Sequence, residues 1–438
     1  MTTRIPRPSR RTVLASLAAG AAAPALGGLP AHAAPAPART GTVPASVLAE
    51  SGAWCWFGDP RAVHHRGTYR RTFAGYITAS GEIRVTQHDH DSGEFTTSTL
   101  ITDFQVDDHN TPSILIRHDG RVVVFFSGHG GPEMYYRRSV AAEDISRGWE
   151  PLKTVPTNTS GEYGYTYPNP IELADEEHRL YLFWRGGDFN PAWSSTTGGD
   201  RWTDAEQLIS VPGERPYVKI ASNDTDTIHF AFTDGHPRNV ENSIHYMYYR
   251  GGSLFRADGS RIGPLGTPVT PEQATRVYDV ASGLGKAWIH DIADDGRGRP
   301  VLTYAVFPTD ADHRYRYARW DGDGFVDGEI TAAGDTISED PSEPNYSGGI
   351  TLDHDDPSVV LLSRQVGAVH EVERWTTADH GRTWSSEAIT AGSNEPQVRP
   401  LSPRGLPSSE QLGILWMAGR YPSYTDYRTR IMATEPAG

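Results

Sequence analysis

The sequence predicts an all-β chain folded as a seven-bladed β-propeller, and three observations carry that expectation. Helical periodicity is nearly absent, while short β-branched and aromatic runs alternate with Gly, Asp and Pro turns. These runs group into units of about 40 to 65 residues, each with three or four strands. The last unit runs out of chain after its third strand, and a spare strand precedes the first. The 45 Gly, 32 Pro, 20 Tyr and 11 Trp suit a turn-rich, ring-packed β fold.

The seven units follow one another along the chain. The first gives AVHHRG, YRRTFAGYI, EIRVTQHD and FTTSTLIT. The second, the clearest, gives PSILIRHD, RVVVFFSGH, EMYYRRSV and WEPLKTV. Units three to five repeat the pattern in PNPIELAD–RLYLFWRGG–AWSSTTGGDRW, RPYVKIAS–TIHFAFTDG–IHYMYYRGG and KAWIHDIAD–RPVLTYAVF–RYRYARWDG. Units six and seven give SGGITLDH–SVVLLSRQV–HEVERWTTADHGRTW and QVRPLSPR–QLGILWMAGR–YRTRIMAT. Trp149, Trp202, Trp320 and Trp384 close several of them. The stretch from Trp54 to Phe57 is expected to supply the outer strand of the last blade, closing the ring and removing an open sheet edge. A pair of β-sandwiches is the alternative. Thr376 to Trp384, TTADHGRTW, resembles the Asp-box turn of sialidase-like propellers, and Ser195 to Trp202 is a degraded copy. Such turns support a fold and say nothing about chemistry.

The chain begins with an address. Arg10 and Arg11 precede an apolar, alanine-rich run that ends at Ala31-His32-Ala33, the pattern of a twin-arginine secretion signal. Residues 1–33 are therefore expected to be removed, residues 34–44 to form an Ala/Pro linker, and residues 45–438 to form the propeller. The expected location is outside the cell, with no membrane association after signal removal. The formal net charge is −15, and the signal carries four arginines and no acid, so the remainder is more acidic still. That argues against nucleic acid as a partner. It leaves room for an anionic substrate met by a local cationic cluster. Cys55 is the one cysteine, so no intramolecular disulfide forms and a cysteine-ligated zinc site is excluded.

In a propeller, residues at the start of the first strand and the end of the second share one face around the central channel. Those positions collect His109 and His129 in unit two, and Arg185 in unit three with Tyr165 and Tyr167 before it. They add Arg215, Tyr217, Lys219 and His236 in unit four, His290 in unit five, and Arg399 and Arg420 in unit seven. Tyr246 lies in a strand of unit four. Imidazoles, phenols and guanidinium groups dominate, and no acidic pair of the kind glycoside hydrolysis uses stands out. Asp107 and Asp108 read as turn formers or as groups orienting His109. His88 and His90 alternate on a strand and could chelate a metal, although such a run is more often a solvated strand end. Arg, His and Tyr without paired carboxylates suit β-elimination on a uronic acid. A cation neutralises the carboxylate, a base removes the C5 proton, and an acid protonates the departing O4.

The D-x-H-N-x-P segment around His109, the S-G-H of His129, the F-W-R-G of Arg185 and the R-P-Y-x-K of Tyr217 resemble the seven-bladed propeller polysaccharide lyases. These include ulvan lyases and L-rhamnose-α-1,4-D-glucuronate lyases, and the resemblance spans residues 50–434. It implies cleavage of the rhamnosyl-glucuronate bond to give a 4,5-unsaturated uronate, on ulvan or on arabinogalactan side chains. It implies that His109 and His129 are catalytic, that Arg185 neutralises the uronate, and that a tyrosine takes part, with Tyr167, Tyr217 and Tyr246 as rivals. Lys219, His236, Tyr246, His290, Arg399 and Arg420 are the expected substrate-binding set. No cofactor is expected for catalysis, a structural calcium ion is compatible with the family, and the chain is expected to act as a monomer on an anionic uronate-containing polysaccharide. Two other readings compete. One is a sialidase- or rhamnosidase-like glycoside hydrolase, with Arg185, Arg399 and Arg420 imitating an arginine triad. The other is a non-catalytic carbohydrate-binding propeller.

Overall fold

A computed structural model describes residues 43–407 and 413–434. The twin-arginine segment and nearly all of the linker lie outside these residues. Seven antiparallel sheets follow in chain order, and each expected unit is one sheet. Blade 1 runs Ala62–Arg66, Arg70–Ile77, Ile83–Asp89 and Phe95–Ile101. Blade 2 runs Ser113–Ile116, Arg121–Ser127 and Met134–Ala142, with Lys153–Thr154 outermost. Blade 3 runs Thr166–Leu173, Arg179–Arg185, Pro191–Thr196 and Glu206–Gln207. Blade 4 begins Val218–Ser222, Thr227–Thr233 and Ile244–Arg250, and Thr275–Tyr278 adds to its third strand. Blades 5 and 6 have first strands Lys286–Asp294 and Ile350–Leu352. Blade 7 runs Gln397–Leu401, Leu415–Ser423 and Asp426–Thr434.

An N-terminal strand does close the ring, but a different one from that expected. Ala45–Ala49 pairs antiparallel with Asp426–Thr434, with Ala45 opposite Thr434. Trp54 to Phe57 is instead packed at the hub. Its residues are too bulky and apolar for an exposed outer strand, and all four are buried. The Trp54 indole donates to the Arg399 carbonyl in blade 7, and the Trp56 indole donates to the Ile289 carbonyl in blade 5. Cys55 N–H donates to Thr111 Oγ1 ahead of blade 2, and Asn169 of blade 3 donates to the Phe57 carbonyl. Trp56 stacks on His290, and Phe57 packs against Tyr167 and Tyr217. One short segment thus touches most of the first strands.

Charge completes the plug. Lys219, fully buried in blade 4, donates to the Asp59 carboxylate and to the Trp56 carbonyl. Arg61 also bonds Asp59, at 3.0 Å. Lys219 was expected to bind substrate, but its ammonium points into the hub, away from solvent. Removing one partner of a buried ion pair costs about 3–5 kcal/mol because the other is stranded. Lys219→Met is therefore expected to lower unfolding stability by about that amount, read from urea titration. A change within about 0.5 kcal/mol would show that Arg61 alone satisfies Asp59.

Candidate active site

A one-turn 3-10 segment, Asp108–Asn110, carries His109 to the mouth of the hub just before blade 2. Asp107 caps it and accepts from His109 N–H at 2.9 Å. The same carboxylate holds two imidazoles: Oδ1 lies 2.6 Å from His109 Nδ1, and Oδ2 lies 2.8 Å from His129 Nδ1. The two rings stack, with centroids 4.0 Å apart and planes 5° from parallel. His129 lies in the turn just after the second strand of blade 2 and is held by its backbone N–H on Gln105 Oε1 at 2.8 Å. With both Nδ1 atoms turned to Asp107, each ring is left with its Nε2 for other partners.

Electrostatics separates the pair. Burial alone would raise the Asp107 carboxyl, but His109 and then His129 outweigh it, and it stays below the usual carboxylate range. Burial opposes a charge on His109, yet Asp107 and Asp108 hold it well above the ordinary imidazole range. Burial and then the charge on His109 push His129 down to about 4. At neutral pH one ring is imidazolium and its neighbour is a neutral base. His109 is nearly enclosed, whereas the His129 side chain is 27% exposed.

Blade 3 supplies the next wall. A bulge between Thr166 and Asn169 breaks the register of its first strand, and Tyr167 there adopts φ +61°. An aromatic residue in this region stores strain that the surroundings must hold. The bulge sets the Tyr167 ring 5.5 Å from His109, under the Arg185 guanidinium at 4.9 Å. Arg185 donates to Thr166 Oγ1 at 3.3 Å and reaches Tyr217 Oη at 3.5 Å. Burial, then Tyr217, raises the Tyr167 phenol well above its ordinary range, so it holds its proton. Gly131 and Gly164 let blades 2 and 3 close here; a Cβ on Gly164 would sit 1.8 Å from the Gly131 carbonyl oxygen.

His236 lines the same mouth, 5.5 Å from the Tyr217 ring, and burial followed by Arg238 and Arg215 lowers it to about 3. Three participants were missed by the sequence reading. Asp107 was seen only as a neighbour of His109, not as a bridge to His129. Glu343, before blade 6, lies 3.6 Å from His236 and bonds Arg238 at 2.7 Å; burial raises its carboxyl. It precedes the first strand of blade 6 as His109 precedes that of blade 2, which was the available signal. Tyr424, in the turn after the second strand of blade 7, meets the His109 ring edge-on at 4.9 Å. It follows a second strand as His129 does, which was the available signal.

The structure brings together His109, His129, Tyr167, Arg185, Tyr217 and His236, and it separates the others. Tyr246 is buried against Phe325 and bonds His229 at 2.7 Å. His290 is buried on Trp56. Arg399, at φ +50° in a bulge of blade 7, is buried on the Asp108 carboxylate and Tyr421. It anchors the 3-10 turn from behind. Arg420 is on the surface, bonded by two nitrogens to Glu339. These placements leave Lys219, Tyr246, His290 and Arg399 no surface for a polysaccharide, and they break the imagined arginine triad. His88 and His90 lie 4.6 Å apart on blade 1, remote from this mouth, with His88 buried against Phe95 rather than solvated.

Metal-capable groupings among the described residues are imidazole-rich: Asp107 with His109 and His129, Asp108 with Cys55 and His109, and Glu172 with His118 and His178. Calcium takes six to eight oxygens, so none of these fits it. A cavity of about 1130 Å³ lies at the opposite end of the blades, among turns such as His118–Gly120 and Asp294–Gly298.

A model of BNR repeat-containing family members matches residues 71–333. No curated protein matches the sequence. Among solved structures, a polysaccharide lyase described as an ulvan lyase of a new family is 16% identical, covering 88% of this chain and 94% of its own, with a TM-score of 0.67. The same ulvan lyase bound to a glucuronate-(1-4)-rhamnose-3-sulfate repeat aligns with a TM-score of 0.66 at 16% identity, over 88% and 94% of the two chains. A further polysaccharide lyase is 12% identical over 87% and 90%, with a TM-score of 0.52. At these identities the likeness is one of fold.

The carboxylate bridge makes a direct prediction. Asp107→Asn removes the attraction that keeps His109 charged, so the His109 titration, followed by NMR of its ring protons, is expected to fall toward about 6.5. An unchanged titration would show that Asp108 alone holds the proton.

Proposed function

The chain belongs to the BNR repeat-containing family, and we propose that it is a polysaccharide lyase that cleaves rhamnosyl-α-1,4-glucuronate linkages by β-elimination. The observation that carries this reading is the stacked His109–His129 pair on one carboxylate, with Arg185 over Tyr167 beside it. Its lyase chemistry is also that of the proteins whose fold it shares.

The roles follow from charge and access. Arg185 and the His109 imidazolium face a uronate carboxylate with two positive charges, which makes the C5–H acidic. His129 is neutral and the more exposed ring, and its Nε2 takes the C5 proton. The electron pair left on C5 forms the C4–C5 double bond as the C4–O4 bond breaks. The protonated Tyr167 phenol delivers a proton to O4. Asp107 holds the Nδ1 proton of His129, which fixes the tautomer and aims the free lone pair outward. Tyr217 and His236 complete the wall. The twin-arginine pattern read from the sequence supports an activity outside the cell.

The product is a conjugated unsaturated uronate, which absorbs in the ultraviolet. Mature protein on ulvan, and in parallel on gum arabic, is expected to give rising absorbance on at least one polymer. His129→Ala is expected to reduce kcat by about 10²- to 10⁴-fold with the fold intact. On the acid side, kcat/KM should reach half its maximum near pH 4, where His129 takes up a proton. On the alkaline side it should fall as His109 loses its charge. Free rhamnose or new reducing ends without absorbance would select the hydrolase instead. Binding without any product would select the non-catalytic propeller.

A further inference from the structure

At the end of the propeller opposite His109 and His129, blades 5 and 6 enclose a cavity of about 250 Å³ lined by Arg297, Arg299, Arg319, Arg382 and His380. Arg297 and Arg299 come from the turn between the first and second strands of blade 5, and Arg319 from its third strand. His380 and Arg382 come from the Asp-box. That turn is built as its pattern requires: Asp379 accepts from Thr383 N–H at 2.8 Å and from Thr383 Oγ1 at 2.6 Å. Thr377 Oγ1 accepts from Gly381 N–H at 2.8 Å. With the carboxylate and hydroxyl turned inward, two of the three variable positions, His380 and Arg382, carry their side chains to the cavity.

The positive charge there is not cancelled. Arg319 is held by Asp295 at 2.6 Å and donates to His380 Nδ1 at 2.7 Å. Arg299 donates to the Asp321 carbonyl at 3.0 Å, a main-chain contact that leaves its charge. Among the described residues Arg297, Arg299 and Arg382 have no ion-pair partner. Asp321 lines the cavity, so four guanidinium groups face two carboxylates. In a chain of net charge −15 this local concentration of positive charge attracts anions against the overall field.

We propose that this cavity binds the sulfate-ester or carboxylate groups of an anionic polysaccharide, as a second glycan site separate from the His109–His129 mouth. Guanidinium forks match the paired oxygens of both groups. The cavity opens on the same face as the 1130 Å³ cavity, whose lining includes Asp295 and Gly296 from the same turn. That larger cavity carries Asp224, Asp294, Asp295 and Asp355 beside Arg404 and the Arg117–Glu172 ion pair. Those carboxylates suit sugar hydroxyls, but they repel duplex nucleic acid, with its charge every ~1.7 Å. A polysaccharide with one charge per sugar or disaccharide fits both regions. The inference does not depend on the elimination chemistry, because binding here needs no turnover.

Gel retardation tests it with probes that need not be cleaved: dextran sulfate for sulfate esters, polygalacturonate for carboxylates, neutral dextran as control. Mature protein is expected to be retarded by at least one charged polymer, less so as salt is raised, and not by dextran. Arg297→Ala/Arg382→Ala, both at exposed positions, is expected to weaken the apparent affinity by about tenfold or more. Its rate on short oligosaccharides should equal that of the unaltered chain. Retardation of the double variant equal to that of the unaltered protein, retardation of neither, or retardation by duplex DNA alone would overturn the proposal. Loss of retardation with normal turnover, or normal retardation with no turnover, separates this site from the lyase reading.

Discussion

A ring of seven sheets leaves a hole along its axis, and in this chain the hole is filled by the chain itself. Trp54 to Phe57 and the Asp59–Lys219 pair occupy the hub, so the first strands pack inward on a solid core rather than on water. The candidate site depends on that plug. Cys55 N–H bonds the Thr111 hydroxyl, which in turn donates to the Asp108 carbonyl, and Arg399 receives Trp54 on one side and holds Asp108 on the other. The turn bearing His109 is therefore fixed from below by the hub. Phe57 supports Tyr167 and Tyr217 in the same way. The candidate mouth is built on a surface that has no freedom to collapse.

On that platform, one carboxylate makes two chemically identical rings unequal. Two parallel imidazoles 4.0 Å apart repel strongly if both are charged. Asp107 touches both, but Asp108 adds its second negative charge to His109 alone, at 3.1 Å. The proton settles on the buried ring, and the exposed ring is kept neutral by its neighbour. Burial, which opposes charge on either ring, is overcome only where two carboxylates act together. The arrangement yields a fixed cation and an available base from a single residue type.

The blades were legible because they obey local rules. Alternating runs and turns mark each strand, and each expected unit corresponds to one sheet. The closing strand was misplaced because Ala45–Ala49 is short and weakly apolar, while Trp54–Phe57 has the stronger strand character; the hub claims those aromatic residues for packing, a tertiary effect no local pattern carries. At the site, strand position correctly grouped His109, His129 and Arg185 on one face. It misjudged Lys219, which follows Tyr217 by two residues on the same face of a regularly paired strand but lies deeper, in the hub, and it misjudged His290 and Arg399, where bulges in blades 5 and 7 shift the alternation. Arg399 shows the consequence: the bulge turns a side chain expected at the mouth into the counter-charge of Asp108.

The two ends of the molecule differ in a way that the length of the blades makes consequential. A first strand such as Thr166–Leu173, at about 3.3 Å per residue, separates the ends by about 25 Å. With the hub filled, no glycan passes between them through the axis. A chain held by the arginine cavity of blades 5 and 6 can reach His129 only around the rim. The distal site would therefore not position the bond being cleaved. It would hold a polymer nearby, raising its local concentration at the mouth by tethering, an effect that grows with polymer length and vanishes for fragments too short to span the rim. An acidic chain gains more from such a device than a basic one does, since its overall field would repel an anionic polymer.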